Sequence, residues 1–138
     1  MLRPEARIVL TAWKPAGPFA LAGRLRREAV ARATSQPAAE LFAWHEADAL
    51  TEIFGPHGFT IDVETRELPL TGTSAQQVLS DEVADHPMWT IARDVLPPGE
   101  VTALEAETLA IYTAANTDPS AFRMVSPYVV AHLSRGRR

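Results

Sequence analysis

Apolar positions along this chain follow two rhythms, one of strands and one of helices. Ile8-Val9-Leu10-Thr11-Ala12-Trp13 is apolar with no inward/outward alternation, which predicts a strand covered on both faces, as in parallel sheets. Such a strand normally follows several βα units. With so few residues ahead of it, the expectation is either that the chain is the second half of a larger fold or that it buries this strand by unusual means. From Phe59 the rhythm alternates: Phe59, Ile61 and Val63 face one way, Asp62, Glu64 and Arg66 the other. That predicts a half-buried strand near a sheet edge. Leu68 and Leu70 fall on the opposite parity, so a bulge or strand end is expected near residues 65–67. Tyr128 to Leu133 is β-rich and apolar on both parities, the pattern of a central strand, with Pro127 at its start or on a bulge.

Helical spacing fills the intervals. Phe19 to Ala33 places Leu21, Ala22, Leu25, Ala29 and Ala33 near one stripe, with the arginines opposite. Ala38 to Phe54 is expected to hold a second helix, best formed from His45 and stopped by Gly55-Pro56. Ser74-Ala75-Gln76-Gln77 fits a capping box opening a third helix. Pro87 opens a fourth, reaching Leu96. Val101, Leu104, Thr108, Ile111, Tyr112 and Ala115 mark the most regular helix, ended by Asn116 and Pro119. The order is strand, two helices, strand, three helices, strand.

Charge sharpens the picture. The net charge of −4 hides an asymmetry: residues 1–35 are basic, residues 36–121 strongly acidic, and the last residues carry arginines again. Arg24, Arg26, Arg27 and Arg32 suit either a phosphate or nucleic-acid contact or the solvated face of an amphipathic helix. The acidic middle argues against a nucleic-acid stripe. Composition is that of an ordinary globular domain, and no apolar run approaches the ~18 residues of a membrane span. With no secretory cleavage signal, a cytoplasmic location is expected. The lack of cysteine excludes disulfides and thiolate chemistry.

Three stretches resemble the C-terminal half of class I S-adenosylmethionine-dependent methyltransferases. Leu2-Arg3-Pro4-Glu5-Ala6-Arg7 with Ile8-Val9-Leu10 and Trp13 looks like the turn and fifth strand of that family, with Glu5 and Ala6 replacing its usual glycine pair. Trp44-His45 through Ile53-Phe54-Gly55 to Gly58-Phe59 looks like the helix leading into the sixth strand. Ser126-Pro127-Tyr128-Val129-Val130-Ala131 looks like the closing seventh strand. The resemblance implies an α/β fold, an incomplete Rossmann-like methyltransferase fold. Its three-stranded mixed sheet would run in the order 7–13, 122–133, 59–68, with about five helices. Residues 1–138 would be a single domain, with 74–116 an inserted helical segment over the acceptor site. In the family the methyl donor sits on the first four strands, at an acidic residue and a Gly-x-Gly turn. The seven glycines here contain no Gly-x-Gly. The chain is therefore expected to retain the acceptor-substrate half and to lack the S-adenosylmethionine-binding half, to be inactive alone in methyl transfer, and to bind no cofactor unless a partner chain supplies the rest. Whether it is an enzyme stays open.

By the same template Trp13, Met88 and Trp89 would border a pocket for a small apolar acceptor; plain core packing is the alternative. No catalytic or metal residue is assigned. His45, Glu46 and Asp48 do not converge on a helix, and Asp81, Glu82, Asp85 and His86 fit an exposed face. His57 falls in a solvated turn, and His132 is expected partly buried in the central strand. The unflanked strand at residues 8–13 should pair with a complementary chain or with a second copy, making a homo-oligomer. The alternative function is a self-associating α/β small-molecule-binding or interaction module.

Overall fold

The computed structural model describes residues 7–38 and 40–135. The turn at residues 2–6 that carries part of the methyltransferase resemblance, and the end of the arginine-rich tail, lie outside the described residues. Within them are three strands, five α-helices and one 3₁₀ turn, in the order expected. The chain divides into two compact units, one from within residues 1–14, 40–68 and 127–138, the other from within 15–39 and 69–126.

β1 (Arg7–Trp13) lies against β3 (Phe122–Arg135), with β2 (Phe59–Gly72) on the far side of β3; the first unit holds β1, β2 as far as Leu68 and β3 from Pro127. β1 and β3 are antiparallel, from Arg7 opposite Ser134 to Trp13 opposite Tyr128. Thr60 donates a 3.1 Å hydrogen bond to the Ser134 carbonyl, and Arg66 lies within electrostatic reach of Tyr128. That descending register is the mark of antiparallel neighbours. The strand order is the expected one, but the sheet is antiparallel between every pair of neighbours rather than mixed. β1 and β2 run in the same direction, and the last strand separates them.

A second correction concerns β1. Its residues alternate between half-buried and exposed. Ile8 and Leu10 turn inward to a small core of Leu50, Phe59, Ala131 and Leu133, completed by Phe54, Ile61 and Val63. Val9 is 58% exposed and Trp13 43%. The apolar run is not covered on both faces, because α2 (Ala47–Phe54) packs on one face only and β1 is an edge. α2 is also shorter than the periodicity suggests. Residues 40–46 are not helical; Trp44 N–H donates to Phe42 and Glu46 N–H to Ala43 in local turns. The chain leaves α2 through a 3₁₀ turn at Gly55–His57. Gly58 then takes a φ of 80°, a left-handed conformation that glycine adopts without steric cost.

In the second unit, α1 (Gly17–Thr34), α3 (Ala75–Asp85), α4 (Pro87–Val95) and α5 (Pro98–Ala115) surround a core that includes Trp89, Tyr112, Phe122 and Met124. Local signals act as the sequence suggests. Ser74 accepts from Gln77 N–H at 3.1 Å, while the Gln77 side chain accepts from Thr73 N–H, a capping box displaced by one residue. His86 Nδ1 accepts from Met88 N–H and so caps α4. Gly72 lies in a tight space: a Cβ there would be 2.4 Å from Val78 Cγ2 and 2.7 Å from Gln77 Oε1, so those side chains would have to shift. After α5, the Asn116 amide makes four bonds to the backbone of residues 118–123 and fixes the turn into β3. The parity change seen in the sequence is real: burial shifts from odd residues 59–63 to even residues 70–72, within one unbroken strand. Among the described residues no helix is long and apolar enough to cross a membrane.

Candidate functional site

Two places stand out chemically, one in each unit. In the first unit it is the outer face and free edge of the sheet. Alternation and register set Arg7, Val9, Thr11 and Trp13 beside Ser134, His132, Val130 and Tyr128 of β3 on that face. The rings of Trp13 and Tyr128 meet edge to face at 6.1 Å. Arg66 lies within electrostatic reach of Tyr128 and donates to Glu64 at 2.8 Å, so an aromatic and ionic row crosses all three strands. That bond holds the exposed Glu64 carboxyl below its ordinary range, with a smaller contribution from the Arg66 charge. At the other end of the face a depression of about 530 Å³ is lined by Arg7, Val9, Thr60, Asp62, His132 and Ser134, among others. His132 is exposed here rather than partly buried, because α2 covers the opposite face.

In the second unit it is a buried polar cluster. Arg26 is 2% exposed, and its Nη1 lies 2.7 Å from Glu82 Oε1, an ion pair without aligned hydrogen-bond geometry. Tyr112 donates to Glu82 Oε2 at 2.5 Å. The guanidinium lies 5.1 Å from the centre of the Trp89 ring, a cation–π contact away from water. Burial, then the Glu82 carboxylate, pushes the Tyr112 phenol well above its ordinary range, so the phenol stays a proton donor. Among the described residues Arg26 Nε, Trp89 Nε1 and Ser126 Oγ are buried with no protein hydrogen-bond partner. Sequence reasoning set Arg26 on the solvated face of α1 and Glu82 on the exposed face of α3, and the structure overturns both. The signal was present in the spacing. Arg26 sits four residues after Ala22 and three before Ala29, on the small-residue stripe that the helices bury.

The three residues expected at an acceptor pocket are placed separately. Trp13 ends β1 in the first unit. Trp89 is fully buried in the core of the second, and Met88 beside it is half-buried at the start of α4. A groove of about 320 Å³ between α3 and α5 is lined by Leu79, Val83 and Leu109 with Gln76, Ser80 and Glu105, and Met88 and Trp89 do not reach it. Among the described residues no group of three histidine or acidic side chains is placed to hold a metal ion. His45 meets Glu46 at 3.5 Å, and Asp81 bonds Gln77. Compared with models of protein families and with curated proteins, the chain matches none.

Proposed function

We propose that this chain is a methyltransferase-like protein that carries the acceptor-side half of the fold and pairs with a further strand along the open edge of β1. The observation that supports the reading is the sheet: β1-β3-β2, with the last strand inserted antiparallel between the two that precede it. That is the arrangement the resemblance implies for the fifth, seventh and sixth strands. The same resemblance places the methyl-donor site on strands that these residues do not include, so methyl transfer would need a second chain. Titration of the purified protein with S-adenosylmethionine in a calorimeter tests this; the expected result is no binding heat, and micromolar binding overturns it.

A self-associating α/β interaction module is the second reading, favoured by the contrast between the two edges of the sheet. β2 carries Asp62, Glu64, Arg66, Glu67 and Pro69, the charges and proline that keep an edge from pairing. β1 carries neither charge nor proline from Ile8 to Trp13.

A further inference from the structure

We infer that β1 pairs antiparallel with β1 of a second copy, in the register that sets Leu10 against Leu10 across a twofold axis. This rests on the reading of the β1 edge as a pairing surface and names its occupant. Lys14 N–H donates to the Pro127 carbonyl at 3.1 Å, in line with the β1–β3 register. Backbone groups of an antiparallel strand alternate in direction, so those of Val9 and Thr11 point away from β3, toward the open edge.

Three features select the partner and the register. The segment is self-complementary about Leu10. Reversed on itself, it sets Val9 against Thr11 as β-branched pairs that can exchange both backbone hydrogen bonds. Ile8 meets Ala12 and Leu10 meets Leu10, which extends the inner apolar face from one copy to the other. On the outer face the Arg7 guanidinium stands opposite the partner's Trp13, a cation–π match made twice by symmetry. A slip of one residue would put inner against outer side chains, and a slip of two would take Arg7 away from the indole. The product is one continuous sheet in which neither β1 remains an edge.

The protein contains no cysteine, so Leu10→Cys introduces a single thiol at the twofold axis. In this register the Leu10 pair is not hydrogen-bonded, with Cα atoms about 4.5 Å apart, within disulfide reach. Mild oxidation should convert Leu10→Cys to a covalent dimer of twice the 15.1 kDa chain and leave Thr60→Cys, on the other edge, without a cross-link under denaturing conditions. Wild-type protein should sediment as a dimer at micromolar concentration. Val9→Lys, at an exposed position, should sediment as a monomer with an unchanged circular dichroism spectrum. A monomeric wild type, or a Thr60→Cys variant that cross-links as readily as Leu10→Cys, overturns the inference. Methyl-donor binding in the calorimeter would sink the methyltransferase-like reading and leave the dimer intact; a monomeric wild type without donor binding would do the reverse.

Discussion

The two units hold themselves together in opposite ways. The second brings a charged arginine, a carboxylate and a phenol into its interior and stacks the guanidinium near Trp89. The first buries Leu50, Phe59, Val129, Val130, Ala131 and Leu133, and leaves Val9, Trp13, Leu41, Phe42, Trp44, Ile53 and Leu68 substantially exposed. Charge inside and hydrocarbon outside both go against the usual distribution. The lesson differs in each case. A buried ion pair needs its partners to stay soluble in the core, whereas an uncovered apolar strand has capacity left for something else.

The comparison breaks hardest at Glu82. Glu82→Ala leaves the Arg26 guanidinium buried without its counterion and Tyr112 without its acceptor. Loss of one member of a buried pair costs about 3–5 kcal/mol, to be read as a large drop in the urea midpoint. A loss within about 1 kcal/mol would mean that the cluster does not hold the second unit together.

A smaller effect follows from Tyr112 at high pH. Its folded-state pKa is raised, first by burial and then by Glu82, while the unfolded chain releases the same proton near pH ~10. Above that pH the unfolded state therefore binds fewer protons than the folded one. The contribution is complete below pH ~10 and declines as pH rises toward the folded value. Tyr112→Phe should start less stable at neutral pH and lose less between neutral and strongly alkaline solution than wild type. Parallel pH dependences for the two proteins would contradict the assignment.

The smallest effect is expected in the first unit. Thr11→Val, at an exposed edge position, should alter unfolding free energy by no more than about 0.5 kcal/mol, measured on a monomeric Val9→Lys background to separate folding from association. A large destabilisation would mean that the outer face of β1 is covered after all.

Much of this architecture is legible along the chain. Element order, the capping box at Ser74, the proline start of α4, and the central place of β3 all follow from local patterning. Local signals carry that information because capping and periodicity act within a few residues. What patterning conceals is long-range. Arg26 and Glu82 are far apart in sequence, so nothing near either one announces its partner. Arginine and glutamate read as solvated because unpaired ones are. The β1 run misleads for the converse reason. An apolar residue states a preference for cover, and sequence does not say whether the cover comes from this chain or another.

Gly72 bears on what the join between β2 and α3 tolerates. A Cβ at that position would crowd the side chains of Val78 and Gln77, although its backbone dihedrals are open to other residues. A bulkier residue would have to push aside the Gln77 amide that accepts from Thr73 N–H. The junction is thus sensitive to bulk at this position rather than to backbone freedom.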